Sequence, residues 1–191
     1  MVTAAHYPQH VESLILLGTS PDFKPGFAAL EKTPIPKGLS APAPDHVNFI
    51  YTLPDTTHST LQERAEVHAQ LWRKLDGNHA QFDREFYIQQ GKDMWERSPI
   101  KDAYDRHAKS MKASFKLHKQ AIQHINTSTL ILQGQLDPVF PPDHGDALHK
   151  NIKGSTLKPM ADMGHAISPR MFDQVIEKID TFLSKGALSK N

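Results

Sequence analysis

Continuous apolar runs separate the helical patterns near both ends of the chain. Val11 to Leu17 is an almost unbroken apolar run that Gly18 ends, and residues 129–134, TLILQG, form a second. Ser155 to Met160 can form a third strand. Short apolar runs of this kind are typical of parallel strands that are covered on both faces. The pattern therefore predicts an α/β fold with a partial parallel sheet of about three strands.

Helical patterns follow the second and third strands. Asp143 to Asn151 predicts one helix, and a stronger pattern predicts another, with Ser168 as its N-cap, Pro169 at its first position and Gly186 just after its end. The apolar face of this last helix is predicted to consist of Phe172, Val175, Ile176, Ile179, Phe182 and Leu183. Strands and helices in this order predict right-handed crossovers in a parallel sheet.

A long middle segment interrupts the α/β pattern. Its first part, from Ser20 to about Leu53, is rich in proline, glycine and small polar residues, which predicts only short regular structure. Three helices are predicted after it: one that opens at Thr60, one over residues 83–97 and one that begins near Pro99. The second of them is expected to turn Phe86 and Met94 inward. We predict that residues 21–126 form a helical cap and that residues 1–20 and 127–191 form the α/β core.

An acid and an imidazole follow two neighbouring strands of the predicted sheet. Asp137 comes just after the second strand and His165 lies in the loop after the third. Parallel strands present their carboxyl ends at one edge, where ligands bind in open α/β sheets. A carboxylate there can fix the tautomer of an imidazole and leave its other nitrogen as a general base. Asp137 alone fits a turn equally well, and His165 alone fits a turn or surface residue better, so it is their joint placement that indicates a catalytic pair.

The composition excludes several function classes. The chain carries 22 basic and 21 acidic residues without a long block of either sign, so we expect no nucleic-acid partner. No apolar run reaches the ~20 residues that span a bilayer, so no membrane partner is expected. Cysteine is absent, which removes disulfides and thiolate chemistry. The N-terminus does not resemble a signal peptide, and a cytoplasmic location is expected.

Histidine is abundant, with 12 residues. The pairs His6 with His10 and His144 with His149 have spacings that could suit a metal ion. Surface histidines are the alternative that we favour, because no third ligand stands at a spacing that completes a tetrahedral site.

The acid and histidine segments together resemble the α/β-hydrolase family, whose triad runs Ser, Asp or Glu, His. TLILQGQLDPVFPPDHGDALHKNI at residues 129–152 is similar to the family's acid strand and the helix after it. MADMGHAI at residues 160–167 is similar to its histidine loop, and HYPQHVESLILLGTSP at residues 6–21 to the helix and strand after the nucleophile. The resemblance implies Asp137 as the triad acid and His165 as the base. It also implies hydrolysis of an ester, lactone or similar bond without a metal or an organic cofactor.

The sequence departs from the family in two respects. The nucleophile motif G-x-S-x-G does not occur in it, and the strands that precede this motif in the family are missing as well. The segment Gly18-Thr19-Ser20-Pro21 is not such an elbow, since it follows the wrong strand. We therefore expect this chain to be the C-terminal part of a hydrolase and to be inactive on its own. A non-catalytic remnant that acts as a binding or interaction module is the alternative. An unrelated α/β binding protein is a third hypothesis.

The cap and the first strand suggest two partners. Phe86, Trp95 and Tyr104 in the predicted cap favour a small-molecule substrate with an apolar part. The strand from Val11 to Thr19 would be an exposed sheet edge if no strand precedes it. An open edge invites pairing with another chain, so self-association is expected.

Overall fold

The computed structural model of the chain describes residues 1–56, 58–98 and 103–188. It contains these helices and strands, in chain order: α1 (Val2–His6), β1 (Ser13–Leu17), α2 (Lys24–Leu30), α3 (Pro44–Thr52), α4 (Leu61–Leu75), α5 (Arg84–Arg97), α6 (Ala103–Ala121), β2 (Ser128–Gly134), α7 (Pro142–Asn151), β3 (Thr156–Met160) and α8 (Phe172–Leu188). Short 3-10 turns lie at Pro8–His10, Ile122–His124 and Pro169–Met171.

The three strands form one parallel sheet in the order β1-β2-β3. Leu16 pairs with Ile131 of the central strand, and Ile131 pairs in turn with Leu157. Successive side chains of a strand point to opposite faces, and β2 is buried on both. The predicted α/β class and parallel three-stranded sheet are confirmed.

Each face of β2 carries its own apolar cluster. Ile131 packs on one face, with Leu16 from β1 and Leu148 from α7. Leu130 and Leu132 pack on the other. That second cluster also contains Met160, Met163, Met171 and Val175. Replacing one such buried leucine or isoleucine by alanine typically costs about 2–5 kcal/mol, so these two clusters contribute strongly to the stability of the sheet.

The middle segment folds into helices α2 to α6, and α4 packs closely on α5. At the start of α4, Thr60 Oγ1 accepts a hydrogen bond from the Glu63 amide at 3.2 Å, while Glu63 Oε2 accepts one from the Thr60 amide at 2.7 Å. This is the predicted capping box. Ala65 and Ala69 of α4 are small enough to let the ring of Tyr87 from α5 approach closely. The division of the chain into a core and a cap stays a prediction.

The last helix and α5 differ from their predictions. Ser168 makes no side-chain cap bond, because a 3-10 turn precedes α8 and its buried hydroxyl finds no partner in the described part of the chain. The apolar face of α8 is covered only in part: Val175 is 5% exposed, but Ile176 is 55% exposed. Met94 was expected to point inward on α5, and this is wrong, since it is 42% exposed. None of the described helices combines the length and the apolar character that a bilayer crossing requires.

Candidate active site

The acid lies in a loop that the sheet continues to hold after β2 has ended. The amide of Gln135 donates to the carbonyl of Met160, and the amide of Leu136 donates to the carbonyl of Met163, both at 3.0 Å. These bonds tie the loop after β2 to the loop after β3. Asp137 follows directly, with its side chain fully buried.

Asp137 is held by three hydrogen bonds. Its Oδ1 accepts from the amides of Val139 and Phe140, both at 2.8 Å. Its Oδ2 lies 3.0 Å from Nδ1 of His165. Because both oxygens of the side chain have hydrogen-bond partners, this loop can stabilise a buried carboxylate. The residue is therefore built into the loop and aims its second oxygen at the imidazole.

The bond to Asp137 fixes the tautomer of His165. An ionised carboxylate only accepts hydrogen bonds, so Nδ1 of His165 carries a proton and donates it. In the neutral ring Nε2 then has a free lone pair, and no residue that the structure describes makes a hydrogen bond to it. The His165 side chain is 25% exposed, so this nitrogen sits at the border of the protein and solvent. This geometry suits a general base.

Two neighbours press the imidazole into place. The ring of Phe140 meets it edge to face, with 5.4 Å between the ring centroids. On another side lies Gly18, whose φ of +49° is a conformation that glycine adopts without strain. A Cβ at this position would lie 2.9 Å from the carbonyl oxygen of His165 and 3.2 Å from its Nδ1. The end of β1 therefore needs a glycine where the histidine loop crosses it.

The family model for the α/β hydrolase fold matches residues 1–169. The chain belongs to this family. Part of it is also 31% identical to the human protein named serine hydrolase BPHL, over 65 residues that make up 34% of this chain and 22% of that protein.

Solved structures show the same fold at low identity. The meta-cleavage product hydrolase CumD from Pseudomonas fluorescens IP01 matches with a TM-score of 0.60 and 16% identity, over 96% of this chain and 59% of that one. The 2-hydroxy-6-oxo-6-phenylhexa-2,4-dienoate hydrolase from Rhodococcus sp. strain RHA1 matches with a TM-score of 0.62 and 13% identity, over 95% and 58%. An esterase from Exiguobacterium antarcticum matches with a TM-score of 0.51 and 19% identity, over 93% of this chain and 57% of that one. This α/β hydrolase chain thus spans less than three fifths of the length of each of these three structures.

A second histidine lies beside the pair in this α/β hydrolase chain. His46, near the start of α3, is 7% exposed, and its Nδ1 is buried with no partner among the described residues. Burial lowers the pKa of His46, and the nearby charge of a protonated His165 acts in the same direction. A neutral His46 therefore adds no positive charge of its own beside the bond between Asp137 and His165.

A cavity of about 330 Å³ borders the acid loop. It lies between the loop after β2, the start of α3 and the end of α4. His46, Lys74, Gln135 and Asp137 are among its lining residues. Lys74 is ion-paired with Asp45 across 3.7 Å, so the charges at the rim of the cavity largely cancel.

The three predicted substrate-binding residues lie in the helical segment. Phe86 packs edge to face on its neighbour Tyr87 and also meets Phe172 of α8. Trp95 lies under the guanidinium group of Arg64, which is 3.8 Å from the ring centroid. Tyr104 falls within α6, but its side chain lies outside the described part of the structure. The contacts of Phe86 and Trp95 join helices, so their contact with a substrate stays a prediction.

A buried pair of a hydroxyl and a histidine was not predicted from the sequence. His144 was expected at the surface and is instead 1% exposed. Its Nδ1 lies 2.7 Å from Oγ of Ser20, and its Nε2 lies 2.9 Å from the carbonyl oxygen of Ser40. Ser20 is fully buried, so this hydroxyl joins the segment after β1 to α7 and is closed to a substrate.

Metal ligation was the other use considered for the paired histidines. His149 Nδ1 lies 2.9 Å from the Ser155 hydroxyl rather than beside His144. Over residues 1–56, 58–98 and 103–188, no three histidine or carboxylate side chains cluster as metal ligands would.

Proposed function

We propose that this chain supplies the acid and the base of a Ser-Asp-His-type triad that hydrolyses an ester, lactone or similar bond. The observation that carries the proposal is the 3.0 Å contact between Asp137 Oδ2 and His165 Nδ1, with Nε2 left open at the carboxyl edge of the sheet. Membership of the α/β-hydrolase family and the hydrolases among the similar structures support it.

The proposed chemistry follows from the state of the ring. Nε2 of His165 takes the proton of an attacking hydroxyl, and the carboxylate of Asp137 stabilises the imidazolium that forms. The same Nε2–H then protonates the leaving oxygen. A hydroxyl nucleophile and two donors for the oxyanion complete such a site. Since no G-x-S-x-G occurs in the sequence, these groups would come from residues outside it.

The first test of the proposal is labelling by a serine-directed fluorophosphonate. The chain alone should remain unlabelled and should not cleave p-nitrophenyl acetate. Reading the in-frame DNA before codon 1, or a neighbouring gene, should reveal a G-x-S-x-G segment. A label that maps to a residue of this chain would contradict the proposal.

The second test adds the nucleophile. When the segment that carries G-x-S-x-G is expressed with this chain, fluorophosphonate labelling and ester cleavage should appear. His165→Ala should then lower turnover by about 100- to 10,000-fold, the range that general acid–base catalysis contributes. His149→Ala is the matched control, because that imidazole bonds Ser155 just before β3, at the opposite end of the strand from the loop that carries His165. It should leave turnover within about twofold.

An interaction module is the second candidate function. In the described chain β1 is an edge strand with one side unpaired, and Phe172, Ile176 and Leu183 of α8 are 41%, 55% and 43% exposed. An open edge beside exposed apolar groups favours pairing with another chain, including self-association through residues 11–19. If no nucleophile segment is encoded upstream or nearby, the interaction module becomes the favoured function over hydrolysis.

The substrate class and location remain part of the proposal. Phe86, Trp95 and Tyr104 would meet an apolar part of a small-molecule substrate, and Phe140 adds an aromatic ring beside the base. Esters of increasing acyl length would test this preference on the completed enzyme. The cytoplasmic location is tested by fractionation of cells that express the protein.

A further inference from the structure

The end of helix α4 reaches into the histidine loop. The carbonyl of Leu75 accepts hydrogen bonds from the amides of His165, at 2.6 Å, and Ala166, at 3.2 Å. The last turn of a helix leaves carbonyls without partners in the helix itself, and here one of them holds the backbone of the base. A helix of the middle segment thus contacts the candidate active site directly.

The same helix end also contacts the acid loop. A Cβ on Gly164, the residue before His165, would lie 2.6 Å from the carbonyl carbon of Asp76. A Cβ on Gly77 would lie 2.5 Å from Cβ of Leu136, the residue before Asp137. Backbones approach this closely only where side chains are missing. Residues 75–77 therefore lie wedged between the loop of the base and the loop of the acid.

An ion pair holds residues 75–77, called the wedge below, in this position. Asp76 Oδ1 lies 2.8 Å from an Nη of Arg170, in the 3-10 turn after the histidine loop. The Asp76 side chain is fully buried and that of Arg170 is 14% exposed. A carboxylate at a helix C-terminus opposes the helix dipole, so Asp76 is unfavourable for α4 itself. Its pairing with Arg170 explains why a carboxylate can be buried here.

Several buried polar atoms surround the pair. The second oxygen of Asp76, Nε of Arg170 and the hydroxyl of Tyr87 are all buried, without hydrogen bonds to described residues. Burial raises the pKa of Tyr87, and the carboxylate of Asp76 raises it further. Tyr87 thus stays neutral, and Arg170 is the cation on which the charge of Asp76 depends.

We infer that Asp76 and Arg170 are positioning residues that hold the wedge at residues 75–77 and thereby keep the His165 imidazole in line with Asp137. The inference rests on the proposed function, since it gives the pair a purpose only if His165 is the base. Without the ion pair the fold of the sheet should persist, while the bond from His165 Nδ1–H to Asp137 becomes loose.

NMR of the full chain tests this inference. In Asp76→Asn, solvent exchange of the His165 Nδ1–H proton should be at least tenfold faster than in the wild type. Exchange protection of the amides of β2, residues 130–132, should stay within twofold. Asp22→Asn is the matched control, because it removes another carboxylate that contacts a cation, Lys119, at 2.7 Å. It should change neither readout.

A double variant keeps the test decisive if Asp76→Asn alone does not fold, because Asp76→Asn with Arg170→Gln leaves no buried charge unpaired. Unchanged exchange of the Nδ1–H proton in a folded variant would overturn the inference. Loss of β2 protection in the double variant would also overturn it, since the pair would then support the whole fold.

The measurement needs no turnover. It can therefore fail while hydrolysis is restored by an added nucleophile, and it can succeed while hydrolysis is absent.

Discussion

The buried carboxylate of Asp137 makes a sharp prediction about stability. Asp137→Ala removes the acceptor for three donors at once: the amides of Val139 and Phe140 and the Nδ1–H of His165. A buried donor left without a partner costs about 1–3 kcal/mol. Phe140 is 6% exposed, so its unpaired amide should bear the full cost, whereas the other two donors can reach some water and should cost less. We expect the free energy of unfolding to fall by about 3–5 kcal/mol.

Asp137→Asn separates the hydrogen bonds from the charge. The amide oxygen of asparagine can still accept from Val139 and Phe140, so mainly the charge assistance is lost, while the bond to His165 reverses its direction and runs from the new amide group to Nδ1. The free energy of unfolding should therefore fall by about 1–2 kcal/mol. Asp143→Ala is a useful control, because Asp143 accepts a single exposed hydrogen bond, from the amide of Ser40 at 2.8 Å. It should cost about 1 kcal/mol, including the loss of an acid near the start of α7.

Urea denaturation followed by circular dichroism measures all three variants. The predicted order of destabilisation is Asp137→Ala, then Asp137→Asn, then Asp143→Ala, with unchanged dependence on urea concentration. Equal effects of alanine and asparagine at position 137 would refute the role given to the two backbone bonds. A loss below 1 kcal/mol for Asp137→Ala would refute the claim that the loop depends on this carboxylate.

Three further predictions concern the surroundings of the site. Gly18→Ala should lower the free energy of unfolding by about 2 kcal/mol in urea denaturation, because a Cβ is strained at a φ of +49° and collides with His165; an effect under 0.5 kcal/mol would contradict the close approach. Burial lowers the pKa of His46 and of His68, so their contribution to stability is present above the ordinary value near 6.5 and is lost as pH falls below it. The urea midpoint should thus drop between pH 7.5 and 5.5, and a constant midpoint would contradict this. Sedimentation equilibrium should show association through residues 11–19 that grows with concentration, whereas a monodisperse monomer would refute it.

The contact between Asp137 and His165 was predictable from sequence because topology alone brings the two residues together. Parallel pairing of β2 and β3 puts the loops after both strands at one edge, and this places Asp137 near His165 whatever their side chains do. The order of acid and histidine along the chain then resembles one family. Both signals are local in sequence or follow from one crossover.

The other features of the site depend on contacts that no local pattern encodes. Asp76 meets Arg170 from 94 positions away, and His144 meets Ser20 from 124 positions away. A histidine or aspartate on a helix surface looks the same in sequence whether or not such a partner arrives. Met94 illustrates the converse, because helical spacing identified an apolar position but not whether another element covers it.

The protonation state of the His165 ring tests the central claim most directly. In ¹⁵N NMR of the neutral ring, Nδ1 should carry the proton and Nε2 should show the shift of an unprotonated nitrogen. Asp137→Asn should reverse this preference, because its amide group can donate to Nδ1. A wild-type ring with the proton on Nε2, or a mixture that the asparagine variant leaves unchanged, would contradict the account of His165 as a base oriented by Asp137.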